Sequence, residues 1–115
     1  MRVTSEFWVS ALIRRIQKDG GFAAVIRRGA TEAGAIFLVQ RTRLGDLLLY
    51  GPAPQADYDE ARPMERRFAL LVRSHSQSDI DVRLEREMRF DPDVWIVELE
   101  VEETMLSGMV EITTL

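Results

Sequence analysis

The stretch RFALLVRSHSQSDIDVRLEREMRFDPDVWIVELEV, residues 67–101, decides the fold of this chain. Residues 67–73 have the pattern of a strand, and a helix follows that we expect Ser78 to cap and Pro92 to end. A last clear strand begins after Asp93. The apolar positions that share a face are Phe68, Leu70 and Val72, then Ile80, Leu84 and Met88, then Trp95, Val97, Leu99 and Val101. A strand-helix-strand unit of this kind favours a parallel, right-handed crossover.

The sequence before this unit predicts one helix and three strands. The helix begins after Thr4 or Ser5 and ends at the paired glycines 20–21, with a wide apolar stripe. The stripe consists of Trp8, Val9, Leu12, Ile13 and Ile16. The strands cover residues 22–26, 35–39 and 47–50, and a turn at 44–46 joins the last two as a hairpin. Because these strands show no alternation, we expect both faces of the sheet to be covered.

The fold class predicted from this order is α+β. We expect a single mixed, mostly antiparallel sheet of five or six strands with two helices, in the order α-β-β-β-β-α-β. Residues 109–114 supply the optional last strand, at an edge. The length of 115 residues predicts one domain over residues 1–115, with a long exposed loop at 51–63.

The composition of the chain limits the classes of function that it can have. The chain has no Cys and no apolar run long enough to cross a membrane, so we expect a cytoplasmic protein. Its net charge of −4 weighs against a general nucleic-acid or acidic-membrane binder. The basic residues are almost all Arg, which is typical of a GC-rich genome but also of sites that grip carboxylates or phosphates.

Three tandem Arg pairs form the first candidate site. They are Arg14/Arg15, Arg27/Arg28 and Arg66/Arg67. If Arg28, Arg66 and Arg67 lie close together, they can hold a phosphate or a carboxylate. Neighbouring strand residues point to opposite faces, so each pair is otherwise one solvated Arg and one partner of an acid, with the row Glu98, Glu100 and Glu102 as the expected acids.

Two further surfaces are candidates for protein contacts. Tyr50, Pro52 and Pro54 stand where a strand runs into the long loop, and they can wall a groove for a peptide or partner. Rigid segments that only lead the chain out of a sheet have the same composition, so this pattern does not by itself require a groove. The second surface is the wide apolar arc of the first helix. Its residues Phe7, Trp8 and Ala11 either pack in the core or form a homodimer interface.

The sequence favours no enzymatic chemistry, metal or cofactor. The acidic row and the pair Asp91 and Asp93 resemble the carboxylate sets that hold Mg²⁺ in phosphoryl-transfer enzymes. The candidates for a general base are weak, because Lys18 is distant in sequence and His75 stands alone. His75 lies in a polar loop among three serines, and without an orienting acid it does not indicate nucleophilic catalysis. A metal-dependent enzyme is therefore the third-ranked interpretation.

Five short motifs resemble the domain-of-unknown-function family 1491, a group of short alphaproteobacterial proteins. They are TSEFWVSA (4–11), GGFAAV followed by RRG (20–29), AGAIF (33–37), LYGPAPQ (49–55) and FDPDVW (90–95). The resemblance covers nearly the whole chain. It implies a bacterial, cytoplasmic, one-domain protein and carries no chemistry, so no functional residues follow from it.

Taken together, the sequence predicts a non-catalytic protein-interaction or regulatory module with an unidentified protein partner, for which a homodimer through the Phe7 and Ala11 side of the first helix is an open alternative to core packing. The alternative is a nucleic-acid or phosphate-ligand binder that acts through the Arg pairs. Clustering of the six Arg residues on one face favours the alternative, whereas dispersal and pairing with acids favours the module.

Overall fold

The computed structural model describes residues 3–54 and 66–113, which form three helices and six strands. In chain order these are α1 (Ser5–Lys18), β1 (Phe22–Arg27), β2 (Ile36–Arg41), β3 (Leu47–Pro52), β4 (Arg67–Ser74), α2 (Gln77–Phe90), β5 (Trp95–Glu100), α3 (Glu103–Ser107) and β6 (Glu111–Thr113). The predicted order is confirmed as far as β5. The chain then adds the short helix α3, which the sequence did not predict, and the optional edge strand.

The strands form one mixed sheet in the order β1-β5-β2-β3-β4-β6, which confirms the α+β class. Strands β2, β3 and β4 form an antiparallel meander, of which the β2–β3 hairpin was predicted. Strand β5 lies between β1 and β2, antiparallel to the first and parallel to the second, so β1 does not pair with the meander. Strands β4 and β5 run in the same direction, as the crossover requires, but β3 and β2 separate them.

Helix α1 begins and ends with the expected local signals. Thr4 is its N-cap, and the Thr4 hydroxyl accepts a hydrogen bond from the backbone N–H of Phe7 over 3.2 Å. At the other end Gly20 has a φ of 91°, a left-handed conformation that glycine adopts without strain. Gly20 and Gly21 donate to the carbonyl oxygens of Gln17 and Ile16, which closes the last turn.

Each face of the sheet carries its own apolar core. On one face, Val9, Leu12 and Ile16 of α1 pack with side chains from β1, β2, β3, β4 and β5. On the other face, Ile80 and Leu84 of α2 pack with side chains from β2, β3 and β5. Every residue of β2 from 36 to 40 is buried, so the lack of alternation correctly indicates a strand covered on both sides.

Two local predictions are wrong. One placed Phe68, Leu70 and Val72 on one face of β4, and the other made Ser78 the cap of α2. The pairing between β3 and β4 shifts at Leu49 and Tyr50, so Leu71 is an extra residue in β4. This bulge turns Val72 toward the α2 face, away from the face of Phe68. The cap of α2 is Ser76 rather than Ser78, and it makes no side-chain cap hydrogen bond.

Strand β1 departs from the prediction of a sheet covered on both faces. It is an edge strand, and among the residues described only β5 pairs with it. Helix α2 lies over β3 and β4, at a distance from β1. The face of the sheet that α2 covers at β3 and β4 is therefore open at β1. Among the described residues, no helix is both long and apolar enough to cross a membrane.

Candidate functional site

The start of α1 is held by the segment that precedes β2. The backbone N–H groups of Ser5 and Glu6 donate to the carbonyl oxygens of Glu32 and Thr31, each over 3.0 Å. The buried Ser5 hydroxyl donates to the carbonyl oxygen of Gly34 over 2.6 Å. Since these donors are already used, the first turn of α1 does not present them to a phosphate or another anion.

Two of the candidate Arg residues meet at this turn. The Arg66 guanidinium donates to the carbonyl oxygen of Val3 over 3.1 Å and to the Ser5 hydroxyl over 3.2 Å. Arg28 forms an ion pair with Glu6, the next residue of α1. The structure therefore brings Arg28 and Arg66 to consecutive residues of one helix, where each already has protein acceptors.

Arg28 also packs over the aromatic ring of Trp95, which holds the end of β1 against the start of β5. Its guanidinium carbon lies 5.1 Å from the centre of the Trp95 ring, and the Trp95 indole N–H donates to the carbonyl oxygen of Ala30 over 2.7 Å. A Cβ atom on Gly29 would contact the carbonyl oxygen of Asp93 and lie 2.7 Å from Cδ1 of Trp95. The Arg-Arg-Gly motif thus closes the end of β1 against the start of β5.

The remaining tandem Arg residues are spread over the surface. Arg67 forms an ion pair with Glu111, with Nε and Oε2 3.4 Å apart, across β4 and β6. Arg15 donates to the carbonyl oxygen of Gly108, and Arg27 donates to that of Pro92. The tandem Arg residues are therefore dispersed and not clustered on one face, and acids neutralise Arg28 and Arg67. The acids are Glu6 and Glu111, and not the predicted glutamate row.

The proposed groove residues lie in different environments. Tyr50 is 4% exposed, and its hydroxyl donates to Oε1 of Gln40 over 2.9 Å. Burial raises the pKa of Tyr50 to about 12, with the charge of Glu103 acting in the same direction and that of Arg73 opposing it. Pro52 and Pro54 are exposed at the end of β3. Most of the loop predicted at 51–63 lies outside the described residues.

The interface candidates on α1 also lie in different environments. Trp8 is half-buried and packs against Phe68, with ring centres 5.3 Å apart, so it contributes to the core. Phe7 is 65% exposed, and Ala11 is exposed one turn further along. Only Phe7 and Ala11 remain available for contact with another molecule.

The carboxylates do not converge. Strand β5 ends at Glu100, and Glu102 is the N-cap residue of α3, so the expected row of three is broken. Glu98 pairs with Arg41, with Nε and Oε1 3.3 Å apart. Within residues 3–54 and 66–113, no group of three or more His, Asp or Glu residues is placed to hold a metal ion.

His75 lies beside an acid that the sequence does not reveal. Its Nε2 is 2.6 Å from Oδ1 of Asp46, in the turn between β2 and β3. The side chain of His75 is 78% exposed, as predicted for a loop histidine. The nearby Ser74 hydroxyl donates to Asp79, so it is not directed at the imidazole.

One open cleft of about 470 Å³ lies at the carboxyl ends of β2 and β5. Its lining mixes charges of both signs: Asp19, Arg41, Arg43, Glu100 and Glu102. Part of this lining is already engaged, because Arg41 pairs with Glu98 and the backbone N–H of Arg43 donates to Glu102. The cleft therefore presents no single charge that would select one class of ligand.

The outer edge of β1 is the surface that sequence analysis missed. Phe22 is 50% exposed, Val25 40% and Ile26 60%, and all three lie in β1, where the pairing with β5 shifts between Val25 and Arg27 and leaves Ile26 as a bulged residue. We call these three residues, with the unpaired backbone of β1, the edge surface. Proteins commonly protect such edges with charges or prolines, and β1 has neither between residues 22 and 26. That uncharged run was a usable signal, but it also fits a covered strand.

The chain resembles proteins of one family over most of its length. The profile of a family of proteins of unknown function, DUF1491, matches residues 3–106. The solution structure of Atu0922 from Agrobacterium tumefaciens is 53% identical, covers 90% of this chain and 89% of that one, and has a TM-score of 0.78. A crystal structure of a DUF1491 protein from Caulobacter crescentus is 37% identical, with 88% of each chain covered and a TM-score of 0.72. An NMR structure from the same organism is 34% identical, with 98% of each chain covered and a TM-score of 0.79. No curated protein matches.

Proposed function

Because the chain belongs to the DUF1491 family, to which no function is assigned, we propose a function from the geometry of its surface. The protein is a non-catalytic protein-interaction or regulatory module of the cytoplasm. It binds an extended segment of a protein partner, which adds a strand to the sheet at β1.

The exposed edge of β1 carries this proposal. Its backbone donors and acceptors have partners on the β5 side only, within the described part of the chain. An added strand would satisfy the outward-facing groups and cover Phe22, Val25 and Ile26. Both gains favour association, since unpaired strand edges with apolar side chains pair readily with other chains.

The other candidate residues support the proposal in a secondary way. Pro52 and Pro54, with Arg67 beside them on β4, form a second contact surface at the opposite side of the sheet. Phe7 and Ala11 form a third, on the outward side of α1. The nucleic-acid alternative is weaker, because Arg28 and Arg67 have carboxylate partners and the net charge is −4.

Matched variants test the proposal in a capture experiment. The full chain, Ile26→Lys and Val82→Lys are each immobilised and exposed to nuclease-treated and untreated lysate of the source cells. Val82 is 66% exposed on α2 and so serves as a control for adding a lysine. We expect the same protein to be captured by the full chain and Val82→Lys in both lysates, and to be lost with Ile26→Lys. Capture that disappears with nuclease supports the nucleic-acid alternative instead.

A further inference from the structure

We propose that the strand added to β1 is β1 of a second copy of this chain, in an antiparallel pair about a two-fold axis at Ala24. This inference rests on the proposed function, and it names the occupant of the same edge. Three features of β1 support a second copy over an unrelated segment: its side-chain pattern, its charges and its position in the sheet.

The side-chain pattern of β1 is complementary to itself. Ala23 and Val25 pair with Leu99 and Val97 and so share the α1 face. Phe22 and Ala24 share the other face, whereas Ile26 lies at the bulge between Val25 and Arg27 and so stands outside the alternation. A two-fold axis at Ala24 keeps every side chain on its own face. It places the small Ala23 opposite Val25 of the second copy on the α1 face, and it brings the exposed Phe22 close to the bulged Ile26 of that copy, so apolar side chains meet apolar ones.

The charges at the two ends of β1 are opposite in sign. At its start lie Asp19 and, across the pair with Phe22, Glu100, neither of which forms an ion pair with a described residue. At its end lies Arg27, whose guanidinium donates to the carbonyl oxygen of Pro92 and forms no ion pair with a described residue. An antiparallel two-fold pair brings the basic end of each strand to the acidic end of the other. A parallel pair would bring like charges together, which disfavours it.

The position of β1 makes the assembly stop at two copies. A two-fold pair uses the β1 edge of each copy, and the far edge of each sheet is then β6. Strand β6 has three residues, so it is a short edge of the kind that resists pairing. Continued addition through β1 and β6 is therefore disfavoured, and a closed dimer is expected.

The backbone of α1 lies close to that of β1, so the two copies of α1 would flank the seam on one face of the joined sheet. On the opposite face, no described helix covers β1, and Phe22 of each copy would lie beside the exposed, bulged Ile26 of the other. The dimer thus buries the exposed apolar side chains of the edge surface without moving any element of the fold.

The oligomeric state of the full chain tests the inference. We expect a dimer by sedimentation across a dilution series, which Ile26→Lys weakens by at least about tenfold in Kd and Val82→Lys leaves unchanged. Because the chain has no Cys, Ala24→Cys provides a probe of the axis: mild oxidation should give a disulfide-linked dimer, whereas Val82→Cys should give none.

The outcomes separate this inference from the proposed function. A full chain that stays monomeric throughout the series overturns the dimer. So does a dimer that is lost with Phe7→Lys and kept with Ile26→Lys, since this places the interface on α1. If the chain is monomeric but still captures a protein that Ile26→Lys loses, the interaction module stands and its occupant is a different chain. If Ile26→Lys changes neither readout, both proposals fail.

Discussion

The Tyr50 hydroxyl donates to Oε1 of Gln40, and the Nε2 of the same Gln40 donates to the carbonyl oxygen of Val101 over 2.9 Å. Tyr50 and Gln40 are both buried, so this chain of two hydrogen bonds satisfies polar groups that have no access to water. It ties β3 through β2 to the residue that follows β5. The end of the central sheet is thereby fixed by side chains as well as by strand pairing.

The first prediction concerns the alkaline stability of the protein. Because the pKa of Tyr50 is raised to about 12 in the folded state, the folded state keeps this proton between pH 10 and 12 while the unfolded state loses it. The stabilisation is complete below pH 10 and is lost as the pH rises toward 12, by on the order of 2 kcal/mol. Tyr50→Phe should abolish this loss.

Urea unfolding of the protein and Tyr50→Phe, below pH 10 and between pH 10 and 12, measures the effect. Below pH 10 the variant should be less stable by about 1–2 kcal/mol, because Oε1 of Gln40 loses its donor. The stability difference should then shrink as the pH rises. Parallel alkaline curves for the two proteins would contradict the assignment.

The second prediction concerns the closely packed Gly29. A Cβ atom at this position would lie 2.6 Å from the carbonyl carbon of Val94 and 2.7 Å from Cδ1 of Trp95. Gly29→Ala should therefore reduce the free energy of unfolding by about 1–3 kcal/mol. Gly108→Ala is the control, since its nearest neighbour would be 3.5 Å away. Chemical denaturation of both variants decides the matter, and equal stabilities would refute the close approach.

A third prediction separates the aromatic residues at the start of α1. Trp8→Ala removes the contact with Phe68 and should cost about 3–5 kcal/mol of folding free energy. Phe7→Ala removes a side chain that is 65% exposed and should change stability by less than about 0.5 kcal/mol. Thermal unfolding of the two variants provides the comparison. A large loss with Phe7→Ala, under conditions where the protein is dimeric, would instead place Phe7 in an interface.

The fourth prediction concerns nucleic acids. Since Glu6 and Glu111 neutralise Arg28 and Arg67, the protein should bind mixed-sequence DNA or RNA weakly, with little dependence on salt. Fluorescence anisotropy with labelled oligonucleotides at several salt concentrations measures both quantities. A steep fall of affinity with salt, together with weaker binding by Arg28→Ala, would revive the Arg-pair site.

The fifth prediction concerns divalent metals. In the described part of the chain the carboxylates of Asp91, Asp93 and Glu98 do not form a metal-ligating group. We expect Mg²⁺ or Mn²⁺ to leave the Tm of the full chain unchanged, whereas a specific site would raise it by mass action. A rise that saturates with metal and disappears in Asp93→Asn would return the phosphoryl-transfer interpretation to consideration.

Periodicity predicted most of the fold because burial on one or two faces leaves a direct trace in the sequence. The buried apolar residues of α1 and α2 all belong to the predicted stripes. Pairing partners leave no such trace, so the insertion of β5 between β1 and β2 could not be predicted. The bulge at Leu71 has no turn residue to mark it. Short helices such as α3 are also set by tertiary packing, here by the burial of Leu106.

The candidate site was harder to predict because one residue pattern has several physical causes. The tandem Arg residues fit a phosphate site and a set of ion pairs equally well until their partners are known. The apolar run of β1 fits a covered strand and an interface strand alike. The residues at the start of α1 serve its packing: Thr4 caps it, Ser5 anchors it to Gly34, and Glu6 holds Arg28.

The place of β5 in the sheet also determines when the protein can fold during its synthesis. Phe22 pairs with Glu100, so β1 has no neighbouring strand until nearly the whole chain has left the ribosome. The local meander of β2, β3 and β4 can form earlier, because its strands are consecutive. Until β5 arrives, β1 presents two open edges to solvent instead of one. A nascent chain is therefore most exposed to aggregation, and most in need of a chaperone, in the interval just before residue 95 emerges.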